Sequence, residues 1–233
     1  MDVLYIKGTE SINKDLELKY SLRSLEKFGY GVDRVFITGE CPDFIDQTKI
    51  IHLPEKDIGC PMINHWWKVT QTITKTDISD DFLLMYDDIF FTSLSNIMQY
   101  KGFFRGFLSE VCSGGQLYQK SLQNASAWLK TRNLTALDYE LHIPIVYNRQ
   151  NFQKLDPIFR PLMDQTPAMA VRSIYGNMFF EKPMKRKDVK IREATQRVED
   201  IQSECFSVSD KAFSIHVQPW LEEHFKRKGK YEK

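Results

Sequence analysis

Between Phe82 and Phe91 the chain reads FLLMYDDIFF, two adjacent carboxylates set between runs of large apolar side chains. An apolar run this dense is expected where a strand is covered on both faces, the usual situation of a central strand in a parallel sheet. Such a sheet needs helices on both sides, and so a chain that alternates strand and helix. The two acids constrain it further. A buried carboxylate needs a hydrogen-bonded or cationic partner, and two side by side repel each other. The pair is expected near the C-terminal end of the strand, where open α/β sheets bind their ligands. There Asp87 and Asp88 are candidate metal ligands for a divalent cation, Mn²⁺ or Mg²⁺, which also bridges phosphate oxygens. The alternative is one aspartate capping a turn while the other meets water.

The residues before this run supply the alternation. DVLYIKG predicts a first strand ended by Gly8. In SINKDLELKYSLRSLEKFG, Leu18, Leu22 and Leu25 share one helical face and Gly29 is a stop signal. DRVFITGE reads as a second strand closed by Gly39, residues 46–53 as a weaker third, and Met62–Thr76 as a helix packed on the sheet. Beyond Phe91 the pattern loosens. SLSNIMQY is expected as a short helix and KGFFRGFLSE as an edge strand or hairpin, with further helices around residues 121–134 and 151–163. No internal repeat or linker interrupts the 233 residues, and a hydrophobic share of 42% suits one large core. A single α/β domain with a mostly parallel, Rossmann-like central sheet flanked by helices is the expectation.

Several functional classes fall away. There is no GxSxG element for a serine hydrolase and no P-loop for a nucleotide triphosphatase. Cys41, Cys60, Cys112 and Cys205 are widely spaced with no CxxC pair, which argues against a zinc site and a dense disulfide framework. The net charge of +1 gives no global field for polyanions. Locally, Glu181–Arg192 and Phe225–Lys233 are basic, and they read as a solvated loop and tail or as a surface that meets a polyanion. No apolar run is long enough to cross a bilayer, and MDVLYIKG opens as a strand rather than a signal peptide, so a cytoplasmic protein is expected.

A family resemblance joins these features. Leu16–Ile45 resembles the N-terminal signature of the Stealth family, sugar-phosphate transferases of capsule synthesis and relatives of the N-acetylglucosamine phosphotransferase of lysosomal enzymes. Glu17, Leu18, Lys19, Tyr20, Ser21, Leu22, Arg23 and Ser24 match it in order. MYDDIFF resembles the family's second signature, with Tyr86 where asparagine is usual, and LHIPIVYNR resembles the third through His142 and Pro144. CFSVSDKAF is loosely similar to the last, through Asp210. The first strand departs from the family pattern, carrying YIKG. The outline is also similar to nucleotide-sugar glycosyltransferases of GT-A type, including small bacteriophage enzymes that attach sugars to modified DNA bases; a phage enzyme would act in the host cytoplasm.

What this resemblance implies is a nucleotide-sugar donor, most simply a UDP-sugar, held by residues 1–100. A hydroxyl acceptor, either a glycan or a hydroxymethylated DNA base, would meet residues 101–233. Glycosyl transfer and sugar-1-phosphate transfer both fit, and so does a non-catalytic binding protein that retains the fold. Asp87 and Asp88 would hold the cation. Arg23 and Lys19, four apart on one helical face, would clamp phosphate. Lys7 and Gly8 at the end of the first strand, with Asn64 and Lys68 on the second helix, are candidate donor contacts. His142 is the candidate acid/base, because imidazole titrates near neutrality. Asp138 and Glu140 are carboxylate alternatives to it. Asp210 would complete metal coordination or orient the acceptor.

Overall fold

The computed structural model describes residues 1–9, 12–111, 115–193 and 195–233, so Cys112 lies outside the described residues. Its centre is a five-stranded sheet. Strands β1 (Asp2–Lys7), β2 (Val35–Gly39), β3 (Ile51–Leu53) and β4 (Asp81–Met85) are parallel, and β6 (Ile145–Asn148) closes the β4 edge antiparallel, in the order β3-β2-β1-β4-β6. Along β1 the side chains alternate between two apolar layers. Leu4 and Ile6 face a core shared with α2 (Pro61–Lys75), α3 (Gln116–Lys130) and α4 (Val171–Phe179), while Val3 and Tyr5 face a core shared with α1 (Leu16–Phe28). Both faces of the sheet are thus covered, as the dense apolar strands require. Leu18, Leu22 and Leu25 are fully or almost fully buried, each contributing about 1.5–3 kcal/mol of burial.

The segment 82–91 is not one strand. β4 ends at Met85, the chain turns through Tyr86–Asp88, and β5 (Ile89–Phe91) leaves the central sheet to pair antiparallel with β8 (Cys205–Val208). Two carboxylates in a strand covered on both faces would have no room for water or partners, so the chain breaks there and turns them outward. A second break with expectation is the basic segment. Rather than a free loop, it forms Met184–Lys185, paired with Phe103–Phe104, and β7 (Lys190–Ile191), paired with β8. Of the edge strand or hairpin expected at KGFFRGFLSE, the structure has a two-residue strand, Phe103–Phe104, whose partner lies some eighty residues on. The expected helix at SLSNIMQY is only the single turn Ile97–Gln99.

Helix α1 is fastened to β5 by two serines. Ser21 Oγ donates to the Ile89 carbonyl at 2.5 Å and accepts from Tyr5 Oη at 3.0 Å, while Ser24 Oγ accepts from the Phe91 amide at 3.0 Å. All of these groups are buried, so the strand that follows Asp88 is fixed to both α1 and β1. Gly39, with φ of 122°, brings β2 against β1 so closely that a Cβ there would sit 2.0 Å from the Lys7 carbonyl oxygen. Among the described residues no helix is long and apolar enough to cross a membrane.

Candidate active site

At the C-terminal ends of β1 and β4 opens a cavity of about 490 Å³. Nine of the candidate residues named from sequence line it: Lys7, Gly8, Asn64, Lys68, Asp87, Asp88, Glu140, His142 and Asp210. Arg23 and Lys19 do not. The Arg23 guanidinium is held by both carboxylate oxygens of Glu232 at 2.6 and 2.8 Å and by the Phe225 carbonyl at 2.7 Å, and Lys19 lies 3.8 Å from the same glutamate. That face of α1 receives the C-terminal tail. The phosphate-clamp role expected for Arg23 and Lys19 thus has no geometric counterpart, because both cations are neutralised within the fold.

The charges that balance Asp87 and Asp88 are lysines. Asp88 accepts from Ser207 Oγ at 2.7 Å and from Lys190 Nζ at 3.1 Å. Asp87 has a looser partner, Lys7 Nζ at 3.5 Å, and that lysine is held more closely by Asp15 at 2.8 Å. Burial in the site, with the neighbouring Asp88 charge, pushes the Asp87 carboxyl up to about 6. Burial alone would lower Lys7, but its two aspartates outweigh this and raise it. Lys68, almost wholly buried, bonds the Lys7 carbonyl and pairs with Asp57, so it fixes the end of β1. The Asn64 amide oxygen accepts from Ile58 and Gly59 at 2.8 and 3.0 Å and so shapes the loop that enters α2.

Across the cavity, His142 Nδ1 donates to Asp188 Oδ2 at 2.9 Å, and its backbone amide donates to Oδ1 of the same carboxylate at 3.0 Å. Burial lowers the His142 pKa more than Asp188 raises it, leaving a neutral imidazole at pH 7. Asp188 is held far below the usual carboxylate range despite its burial. The hydrogen bonds from the His142 ring and backbone amide are the first cause of this, followed by Arg192 at 2.9 Å; Arg105 lies further off, at 3.5 Å. Since Asp188 fixes Nδ1–H, Nε2 is the imidazole nitrogen left to take up a proton.

The cavity floor carries residues that sequence reading missed or ranked low. Glu140 and Arg172 are buried there, and burial raises the Glu140 carboxyl against the opposing charge of Arg172. His65 bridges the Tyr86 and Tyr147 hydroxyls at 2.7 and 3.1 Å, with burial pushing its pKa down to about 3. Asp188 and Lys190 come from the basic segment. The one acid inside KRKDVKIR was the signal available for Asp188.

The paired acids fit a hard divalent cation. Asp87 and Asp88 both line the cavity, as does Asp210, and Asp87 has no tight cation of its own. Among the described residues no group of three or more His, Cys, Asp or Glu side chains is already clustered as a metal site.

No protein-family model matches the chain, and no curated protein sequence matches it. Solved structures do. The galactosyltransferase LgtC, crystallised with donor and acceptor sugar analogues, aligns over 99% of this chain and 98% of its own, with a TM-score of 0.58 and 9% sequence identity. An active-site mutant of LgtC aligns over the same shares with a TM-score of 0.56 and 8% identity. The chain has a GT-A-like α/β fold. At such identity the likeness is one of fold, and the chemistry rests on the residues described above.

Proposed function

We propose that the protein is a nucleotide-sugar glycosyltransferase that moves a sugar onto an acceptor hydroxyl. The observation that carries this reading is one cavity, at the C-terminal edge of a GT-A-like sheet, lined by Lys7, Lys68, Asp87, Asp88 and His142. That LgtC was crystallised with both a donor and an acceptor sugar analogue supports a site for two substrates. Lys7 and Gly8, with Lys68 bonded to the Lys7 carbonyl, would receive the diphosphate, and Asn64 would hold the loop that enters α2 beside them. Asp87 and Asp88, with Asp210 nearby, would hold Mn²⁺ or Mg²⁺. That cation would neutralise the charge that develops on the diphosphate. His142, oriented by Asp188, takes the proton of the acceptor hydroxyl at Nε2. The acceptor oxygen then bonds to the anomeric carbon, the bond from that carbon to the diphosphate oxygen breaks, and the electron pair leaves with the nucleoside diphosphate.

One observation favours a second reading, transfer of sugar 1-phosphate. The residues of the Stealth-like elements at Asp87–Asp88, His142 and Asp210 converge on this single cavity. A donor screen separates the two. Purified protein is incubated with UDP-, GDP-, CMP- and dTDP-sugars and Mn²⁺ or Mg²⁺, and the released nucleotide is identified, with UDP-sugars as the first donors to test. Diphosphate release means glycosyl transfer, and monophosphate release means sugar-phosphate transfer. No release and no metal-dependent binding from any donor means a binding protein. The acceptor, a glycan or a hydroxymethylated DNA base, is separated by salt. DNA binding would weaken steeply as salt rises, whereas binding of a neutral glycan would not.

A further inference from the structure

The cavity floor holds two charged groups that the transfer chemistry above does not use. Glu140 reaches the N-terminus of α4, where its Oε1 accepts from the Ser173 amide at 2.9 Å and from the Ser173 hydroxyl at 3.1 Å. Among the described residues its Oε2 has no hydrogen-bond partner. Arg172, 3% exposed, donates one terminal nitrogen to the Ile143 carbonyl at 2.9 Å and lies 6.0 Å over the Tyr86 ring. Among the described residues its buried Nε finds no acceptor. The two residues line the same cavity but form no direct ion pair. An unsatisfied buried donor is costly, and native proteins keep few of them. A guanidinium and a carboxylate held apart, each with unused hydrogen-bonding capacity, suit a ligand that both donates and accepts between them.

We propose that Glu140 and Arg172 form a subsite for a neutral sugar ring. One ring hydroxyl donates to Glu140 Oε2, and its neighbour accepts from the Arg172 guanidinium. Tyr86 and Tyr118 complete the wall. The pair carries no net charge, so a ligand carboxylate drawn to Arg172 would meet the Glu140 carboxylate and leave its Oε2 without a donor, whereas a hydroxyl pair satisfies both groups. The class selected is therefore a neutral hexose with vicinal hydroxyls, rather than a uronic or sialic acid. This deepens the transferase reading and rests on it for the source of the ring, which is either the donor's sugar or the acceptor's.

The test is a calorimetric titration, with Mn²⁺ present, of bare nucleoside diphosphates, of UDP-glucose and UDP-galactose, and of UDP-glucuronate. Free glucose and free glucuronate are titrated in parallel by NMR, and every titration is repeated on Glu140→Gln and Arg172→Met. The bare diphosphates report on the nucleotide site alone, so their failure to bind counts against the transferase reading and leaves the sugar titrations to judge the subsite. We expect the neutral sugar to bind about tenfold or more better than its uronate counterpart. Glu140→Gln should collapse that ratio to near unity by relieving the repulsion, a gain that misfolding cannot produce. Arg172→Met should weaken the neutral ligand. A ratio that moves only for UDP-sugars assigns the ring to the donor, and one that moves only for free sugars assigns it to the acceptor. A neutral-to-acidic ratio unchanged by Glu140→Gln in both series overturns the proposal, as does uronate binding equal to hexose binding in the unmodified protein.

Discussion

Residues 2–91 and residues 101–233 build the same cavity by different means. The first stretch is regular: four parallel strands and two long helices, with apolar side chains repeating at strand and helix periods. It contributes the sheet edge, the paired aspartates and two lysines. The second is made largely of short elements, with α3 as its one long helix, and it supplies Glu140, His142, Arg172, Asp188, Lys190 and Asp210. Regular structure fixes positions by burial. Irregular structure carries groups whose partners are distant in sequence, as Asp88 is from Lys190 and Ser207. The comparison implies that substitutions in the second half change chemistry with little loss of stability. In the first half they should change stability before chemistry, the aspartate pair excepted.

The largest expected effect tests that exception. Asp88→Ala removes a proposed cation ligand and strands Lys190 beside Asp87. Nucleotide release should fall by about 10³-fold and metal-dependent nucleotide binding should disappear. Binding that is insensitive to both metal and mutation would remove the paired acids from the site.

Next comes Asp188→Asn. Losing the anion that orients His142 should lower kcat/KM by about 10²-fold. The sign of its pH effect follows from the pair. The His142 pKa is depressed, so activity in the unmodified protein should fall on acidification below the ordinary histidine value of about 6.5. Asp188 partly offsets that depression, so the acidic limb should move lower still in the variant. A limb that stays in place, or one that moves up, would mean that His142 is not the base. Asp188 itself, with its pKa depressed in the fold, contributes stability above about pH 4, and this is lost as pH falls through its folded value.

Ser21→Ala sharpens the contrast from the other half. It leaves the Tyr5 hydroxyl and the Ile89 carbonyl unsatisfied in the core, which should cost about 1–3 kcal/mol in denaturant unfolding. Because β5 follows directly on Asp88, turnover should also fall, by up to about tenfold. A larger fall in turnover with no loss of stability would place Ser21 in the chemistry rather than beneath it.

The same contrast explains what could be read from sequence. β1, β2 and α2 lie close to their expected bounds because each repeats its burial pattern over several residues, and α1 stops before Gly29 as expected but starts at Leu16, later than the segment SINKDLELKYSLRSLEKFG suggested. The turn inside Phe82–Phe91 was hidden because Ile89–Phe91 is as apolar as Phe82–Met85, although the two stretches belong to different sheets. β6, four residues long, and β7, two residues long, are specified by partners elsewhere in the chain and have no period of their own. In the site, the aspartate pair stood out by contrast with its neighbours and His142 by its residue type. Arg172 is a single charge in ordinary surroundings and Lys190 is one of several cations in the basic segment, and only the fold brings them to the cavity.

Arg23 is where sequence and structure part most clearly, and it carries the smallest expected effect on turnover. Its match to a transferase signature suggested a phosphate clamp, yet its guanidinium makes a bidentate pair with Glu232 and holds the Phe225 carbonyl. The pair is largely shielded from water, with side chains only 10% and 7% exposed, so it should be worth more than an ordinary surface ion pair. Arg23→Ala should therefore lower stability by about 1–3 kcal/mol and loosen the tail around Tyr231. At temperatures where the variant stays folded, kcat and donor KM should remain within about twofold. A rise in donor KM without a matching loss of stability would show that Arg23 leaves Glu232 to meet the donor. The division between a scaffolding first half and a reactive second half would then fail at α1.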